Sequence, residues 1–104
     1  MFNFFNRVPS ITSRELQTKI KQRAVILDVR SAEEYRGGHI SSAINVPLHK
    51  ITAYQKYKTE QVYLICQSGL RSKKAAKLLK NKGYDVVNVR GGMNSWRGPV
   101  KRGK

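Results

Sequence analysis

The fold is decided by the stretch VYLICQSGLRS, residues 62–72, in which an apolar run leads through a short loop into a helical pattern. Val62 to Ile65 has the length and composition of a buried strand. From Ser72 to Lys82, alanines and leucines alternate with lysines at helical spacing, and Gly83 follows as the residue that ends the helix. A strand that runs directly into a helix is the building unit of a parallel α/β sheet.

Further strands and helices alternate on both sides of this stretch, which predicts an α/β domain with a mainly parallel sheet. Two capping boxes, Thr12 to Glu15 and Ser31 to Glu34, mark helix starts. The predicted elements are a helix over 12–22, a strand over 24–29, a short helix from 31 to 37, a short strand over 45–47, one or two helical turns over 51–58, the strand 62–65, the helix 72–82, a strand over 86–89, and a final short helix that contains Trp96.

Cys66 ends the strand and opens the loop, and this placement predicts an activated thiolate. The backbone N–H groups of the turn and the following helix N-terminus direct positive potential at the sulfur. Gly69 supplies a residue that can take positive φ without strain, and Arg71 adds a planar cation suited to oxyanions. The alternative is a buried, inert cysteine, which Gly69, Arg71 and the immediate helix start make the weaker interpretation.

The chain contains one cysteine, which excludes an internal disulfide and any multi-cysteine metal site. A sulfur loaded onto Cys66 therefore has to leave to an external acceptor, such as a small thiol or a partner protein. We expect no metal and no organic cofactor to be required.

Five sequence blocks in order resemble the rhodanese-like domain, the single-domain sulfurtransferase family. They are Ile26 to Arg30, Glu34-Tyr35 followed by Gly38-His39-Ile40, Ala43 to Pro47, the loop Cys66 to Arg71, and Gly91-Gly92-Met93 with Trp96. The resemblance covers roughly residues 11–98 and implies a three-layer α/β/α domain around a sheet of about five strands. Residues 1–10 are then an N-terminal extension, and 99–104 a frayed basic C-terminal tail.

The resemblance also implies sulfur transfer, in which the Cys66 thiolate attacks the outer sulfur of an anionic donor such as thiosulfate or a polysulfide. The predicted substrate-binding residues are those of the loop: Gln67, Ser68, Gly69, Leu70, Arg71 and Ser72. Asp28 interrupts an apolar strand, so we expect its carboxylate to pair with Arg30 or Arg71 and to support the loop. Arg30 could also line the mouth of the pocket.

The spacing within the loop argues against phosphate chemistry. Four residues separate Cys66 from Arg71, whereas the tyrosine phosphatases and the cell-cycle phosphatases place one more residue between cysteine and arginine. A phosphoryl group needs more donors around its oxygens than a sulfur atom does. An arsenate reductase or phosphatase is therefore the less favoured alternative.

The formal net charge of +15 favours encounters with anionic molecules. We expect most of the lysines to be a solvated surface, because those of the 72–82 helix lie opposite its apolar face. A persulfide carrier that docks to an acidic protein or a tRNA-thiolation partner stays open, but a nucleic-acid site is not favoured.

The remaining features have simpler interpretations. The start of the chain, with Phe2, Phe4 and Phe5, is far shorter than the roughly 18 residues of a membrane-spanning helix, so we expect these rings to pack or be disordered in a cytoplasmic protein without a membrane span. His39 is expected to make a structural hydrogen bond in a turn, and His49 to lie on the surface.

Overall fold

The computed structural model describes residues 7–104, and within them one sheet of five strands has the order β1-β5-β4-β2-β3. The strands are β1 (Ser10–Thr12), β2 (Val25–Asp28), β3 (Ile44–Asn45), β4 (Gln61–Ile65) and β5 (Asp85–Arg90). All four neighbouring pairs are parallel. The predicted parallel α/β fold is confirmed, and β4 with Cys66 at its end is the central strand.

The helices cover both faces of the sheet and form the two outer layers. They are α1 (Ser13–Lys21), α2 (Ala32–Arg36) and α3 (Leu70–Asn81), with 3-10 helices at Leu48–Ala53 and Gly92–Ser95. One core contains Leu27, Val62, Leu64, Val86, Ala75, Ala76 and Leu79, and the other contains Ile26, Ile65, Val87, Val89, Leu16 and Trp96. Alternating strand residues thus supply opposite cores, as expected of a sheet buried on both faces.

Two of the three α-helices begin next to a residue that the sequence marks as a helix start. At α1 and α2, the hydroxyls of Thr12 and Ser31 accept the N–H groups of Glu15 and Glu34, whose carboxylates accept the capping N–H in return. Helix α3 begins instead after Gly69, which has φ of 107°. The helix starts at Leu70, two residues before the predicted Ser72, and its first hydrogen bond runs from the N–H of Lys73 to Gly69 O at 3.1 Å.

Three other predicted boundaries change. The helical turns expected over 51–58 are instead a 3-10 helix at Leu48–Ala53, and the short strand expected over 45–47 is Ile44–Asn45. Trp96 follows the final 3-10 helix rather than lying inside it. Short elements depend on packing more than on periodicity, so their limits are poorly marked in the sequence.

The two chain ends also differ from expectation. The sequence predicts Ser10 as part of an N-terminal extension, but it pairs with Asn88 in the sheet. The C-terminal segment is not frayed, because Lys101 exchanges backbone hydrogen bonds with His39 and the N–H of Gly103 donates to Arg36 O at 2.8 Å. The expectation for Phe2, Phe4 and Phe5 lies outside the described residues. Among residues 7–104, no helix is long and apolar enough to cross a membrane.

Candidate active site

The site is built around Cys66, which follows the central strand and is 1% exposed. The strands on either side of β4 bring two polar residues level with its end: Asp28 of β2 pairs in register with Ile65, and Asn88 of β5 with Leu64. The sheet therefore places Cys66 at the carboxyl ends of parallel strands, where ligands bind in such sheets, with Asn88 on the same face as the cysteine and Asp28 on the opposite face.

The Cys66 sulfur accepts hydrogen bonds from the residues that follow it. The N–H of Gly69 lies 3.0 Å from Sγ, and the Ser72 hydroxyl oxygen lies 3.3 Å from it. Because Gly69 has positive φ, the loop curls back and its N–H groups turn inward toward one atom. We call these donors, from Ser68, Gly69 and Ser72, the cradle. They suit a sulfur atom that carries negative charge.

The pKa of the Cys66 thiol is lowered from its ordinary value by this cradle. Burial is the largest single influence and raises the pKa, but hydrogen bonds from the Ser72 side chain and from the N–H groups of Ser72, Gly69 and Ser68 together outweigh it. The thiol is thus buried and still has a lowered pKa.

A second turn holds the other side of the loop. Gly92 lies so close to the start of the loop that a Cβ there would stand 2.3 Å from the Cys66 carbonyl oxygen. The next two residues donate backbone hydrogen bonds to the loop: Met93 N–H to Cys66 O at 2.8 Å and Asn94 N–H to Gln67 O at 3.0 Å. The glycine pair after β5 therefore positions the loop by direct backbone contact.

Asp28 pairs with Arg30, the first of its two predicted partners. Arg30 Nη2 lies 2.8 Å and Nε 3.0 Å from the Asp28 carboxylate oxygens, and both residues are buried. The same guanidinium donates to Gln67 Oε1 at 3.1 Å and to Gly38 O at 2.8 Å. The pair therefore connects the end of β2 to the first residue after the cysteine.

Arg71 does not pair with Asp28 but with Glu34 at the start of α2. The guanidinium and carboxylate make two parallel contacts of 2.7 and 2.8 Å. The hydrogen bond from Arg71, opposed by burial, lowers the pKa of Glu34 to about 2. This bidentate pair occupies the two guanidinium nitrogens of Arg71 that we predict to bind an oxyanion.

The rest of the loop faces outward. Ser68 is exposed, Leu70 is 77% exposed, and Gln67 Nε2 donates to Asn94 Oδ1 at 2.7 Å. Beside the loop lies an open groove of about 670 Å³ with an apolar floor and a basic rim. Its lining includes Val29, Leu48, Leu78, His49, Lys50, Arg71 and Lys74.

Sequence reasoning missed Asn88, which contacts the loop through its side chain. Its Oδ1 accepts the Ser72 hydroxyl at 2.5 Å, and its Nδ2 donates to Gly69 O at 3.3 Å. The available signal was the same one that identified Asp28, namely a polar residue inside an apolar strand.

Among residues 7–104, the remaining candidates make no hydrogen bond to the sulfur. His39 is buried, its Nδ1 donates to Tyr35 O at 2.7 Å, and its ring stacks on that of Tyr35. His49 is exposed, and Trp96 packs in a core while its indole N–H donates to Pro99 O. Within residues 7–104, no group of three or more acidic, histidine or cysteine residues could hold a metal ion.

Comparisons with known proteins agree on one family. The model of the "Rhodanese-like domain" matches residues 12–99. The chain is 33% identical to the "Putative sulfurtransferase YtwF" of Bacillus subtilis over 90% of this chain and 95% of that protein. It is 35% identical to the "Putative sulfur carrier protein YrkF" of the same organism, over 90% of this chain but only 54% of that protein's length.

A solved structure gives the same result. The crystal structure of a rhodanese-like domain protein from Staphylococcus aureus superposes with a TM-score of 0.82 at 34% identity and covers 93% of this chain and 100% of that chain.

Proposed function

The chain belongs to the rhodanese-like domain family, and we propose that it is a sulfurtransferase that carries sulfane sulfur as a persulfide on Cys66. The donor is an anionic sulfur compound such as thiosulfate or a polysulfide, and the acceptor is an external thiol or another nucleophile. Relatives named as a putative sulfurtransferase and a putative sulfur carrier support sulfur transfer as the chemistry.

The observation that carries the proposal is the cradle around Cys66 Sγ. Two hydrogen-bond donors reach the sulfur, and the pKa of the thiol is lowered despite its burial. A thiolate is the nucleophilic form of cysteine, so the site is prepared for attack on sulfur.

In the first half-reaction, the Cys66 thiolate attacks the outer sulfur of the donor. A new S–S bond forms on the enzyme, the S–S bond of thiosulfate breaks, and sulfite leaves with the bonding electron pair. The negative charge of the enzyme-bound persulfide then rests on the outer sulfur, where the inward N–H groups of the loop can stabilise it.

In the second half-reaction, an external thiolate attacks the outer sulfur and Cys66 leaves as a thiolate. The chain has no second cysteine to complete this step internally. Ping-pong kinetics follow, because the first product leaves before the acceptor binds. We place the cycle in the cytoplasm, since a free reactive cysteine and thiol acceptors require a reducing compartment.

The basic surface beside the loop supports an anionic donor. Lys50, Arg71 and Lys74 lie on the rim of the groove, and they attract anions over several ångströms at low ionic strength. Arg71 is the predicted oxyanion ligand, and a donor would compete with Glu34 for its fork. The four-residue spacing between Cys66 and Arg71 disfavours a phosphatase or arsenate reductase.

The test is intact-protein mass spectrometry after brief exposure of the reduced protein to thiosulfate or polysulfide, with Cys66→Ser as the matched variant. We expect the wild type alone to gain the mass of one sulfur atom and to lose it when glutathione or cyanide is added. The absence of an adduct with every donor would contradict the proposal, as would turnover of an aryl phosphate that Cys66→Ser abolishes.

A second candidate is a persulfide carrier for a macromolecular acceptor, either an acidic protein or a tRNA. The basic groove beside the loop and the similarity to a protein named as a sulfur carrier favour it. Transfer to a macromolecule should then fall steeply as salt is raised, while transfer to a small thiol changes little. Equal salt dependence of the two reactions would contradict this candidate.

A further inference from the structure

The Ser72 hydroxyl has one proton and three acceptors within reach. Asn88 Oδ1 lies at 2.5 Å from its oxygen, Gly69 O at 3.1 Å and Cys66 Sγ at 3.3 Å. Ser72 is fully buried, so solvent does not supply further donors or acceptors. A hydroxyl donates only one hydrogen bond at a time, and these three atoms therefore compete for it.

Asn88 is the nearest of the three acceptors to the hydroxyl. It is 7% exposed, and its position on β5 is fixed by backbone pairing to Leu64 of the central strand. Its Nδ2 donates to Gly69 O, which also receives the N–H of Lys73 at 3.1 Å. The amide is therefore oriented with its oxygen toward Ser72.

We propose that Asn88 is a positioning residue whose Oδ1 accepts the hydrogen bond of the Ser72 hydroxyl while Cys66 Sγ is uncharged and loses that hydrogen bond to the sulfur when Sγ becomes a thiolate. The hydroxyl would then alternate between Asn88 Oδ1 and Sγ. The proposal rests on the sulfur cycle described above, in which Sγ is charged before the attack and uncharged once it is bonded to the transferred sulfur.

The chemistry of the two acceptors supports this exchange. An amide oxygen at 2.5 Å is a better acceptor than a thiol sulfur, which is weak when it is neutral. A thiolate carries a full charge in a buried site, where hydrogen bonds to charged groups are stronger. The Ser72 hydroxyl therefore donates to Asn88 Oδ1 when the sulfur is neutral and to Sγ when the sulfur is a thiolate. Asn88 opposes thiolate formation because it competes with the sulfur for this hydrogen bond.

The charged groups around the site do not contact the Asn88 amide. Arg71 on α3 interacts electrostatically with Cys66 and with Asp28, which is paired with Arg30 at the end of β2. On β5 itself the charged residues are Asp85 and Arg90 at its exposed ends. A substitution at Asn88 leaves these charges in place, so its effect on Cys66 passes through the two residues that Asn88 contacts, Ser72 and Gly69, and the double variant separates these two routes.

The experiment measures the pH dependence of Cys66 alkylation by iodoacetamide in the wild type, Asn88→Leu, Ser72→Ala and the double variant. Leucine has nearly the shape of asparagine but accepts no hydrogen bond. We expect Asn88→Leu to lower the pKa of Cys66 and to raise the thiolate fraction below that pKa by about two- to tenfold, the size of one exchanged hydrogen bond. Ser72→Ala should raise the pKa.

The double variant separates the proposal from a loss of packing. With Ser72 replaced, Asn88→Leu should no longer change the pKa of Cys66. A control, Val86→Ala, opens space on the same face of β5 and should reduce stability without changing the pKa. If Asn88→Leu raises the pKa, leaves it unchanged, or acts equally in the Ser72→Ala background, the proposal is overturned.

Alkylation requires no sulfur donor, so this test is independent of the proposed reaction. Failure of the wild type to form a persulfide would remove the sulfurtransferase proposal, and the alkylation profiles would still decide the role of Asn88.

Discussion

The two strands that flank β4 hold the cysteine loop in different ways. On one side, β2 ends in the buried ion pair of Asp28 with Arg30, which reaches the loop at Gln67. On the other side, β5 carries the neutral amide of Asn88, which contacts the loop at Gly69 and Ser72. The β2 side contacts the loop through an ion pair that reaches Gln67. The β5 side contacts it through neutral hydrogen bonds to Gly69 and to Ser72, the residue whose hydroxyl reaches the sulfur.

This difference has a physical reason. A full charge beside a buried sulfur would shift its pKa strongly, whereas a neutral amide can orient a hydroxyl with a smaller effect. The β2 side also has an outer ion pair, Glu34 with Arg71, between α2 and the loop. We therefore expect the stability of the protein to depend on charge and pH through the β2 side. Through the β5 side, it should depend on side-chain shape and hydrogen bonding.

The largest expected effect is on the β2 side. Asp28→Ala leaves the Arg30 guanidinium buried without its carboxylate, and we expect the free energy of unfolding to fall by about 3–5 kcal/mol. Urea unfolding monitored by circular dichroism measures the change. A double variant, Asp28→Leu with Arg30→Met, removes both charges and should lose less stability than Asp28→Ala alone. A loss below about 1 kcal/mol for Asp28→Ala would show that the pair is not needed.

The next effect is on the β5 side and comes from the backbone. Gly92→Ala would place a Cβ 2.3 Å from Cys66 O at a φ of +55°, so the turn or the loop has to move. We expect a loss of about 2–4 kcal/mol from crowding and backbone strain together. Gly103→Ala is the control, because it has positive φ but open space around its Cβ. Equal losses at the two glycines would contradict a specific contact with the loop.

Asn88→Leu should cost less stability than Asp28→Ala. The amide is neutral, and Gly69 O keeps the N–H of Lys73 as a donor after Asn88 is replaced. We expect a loss of about 1 kcal/mol, as is usual for one hydrogen bond. The same urea experiment measures it. A loss as large as that of Asp28→Ala would mean that the two sides do not differ in the way proposed.

The smallest effect is that of the outer ion pair on the β2 side. Glu34→Gln keeps the capping box with Ser31 but removes the charge that faces Arg71. Because the pair is more than one third exposed, we expect a loss below about 1 kcal/mol at pH 7. Glu33→Gln removes the same charge one residue earlier and serves as the control.

The pH dependence of this variant has a definite sign. The folded-state pKa of Glu34 is lowered from 4.5 to about 2 by its partner, so the stabilisation is present above pH 4.5 and is lost as the pH falls toward 2. Wild type and Glu34→Gln should therefore converge in stability over this range. A difference that persists at pH 2 would contradict a role for the charge.

Much of this arrangement could be predicted because its signals are local. The capping boxes at Thr12 and Ser31, the apolar run before Cys66, and Gly83 after α3 each lie within a few residues of the feature that they mark. Local spacing is sufficient for these features, since capping and periodicity act over one or two turns.

The side-chain contacts around the cysteine loop could not be predicted in this way. Arg71 bonds Glu34 at a separation of 37 residues, and Ser72 bonds Asn88 at a separation of 16. Both contacts depend on which strands are neighbours in the sheet, and the register of a sheet is set by long-range packing. The sequence therefore predicts an oxyanion or Asp28 as the partner of Arg71, and it does not indicate Glu34 as the partner of Arg71 or Asn88 as the partner of Ser72.

The sequence by itself determined the alternation of strands and helices, the position of the cysteine at the end of a buried strand, and the glycine that bends its loop. Only the tertiary structure decided which polar groups surround that loop, because β2 and β5 come beside β4 through parallel pairing rather than through proximity in the chain. Burial then required the buried groups among them, such as Asp28, Arg30, Ser72 and Asn88, to find hydrogen-bond partners, since an unpaired polar group in the core is costly.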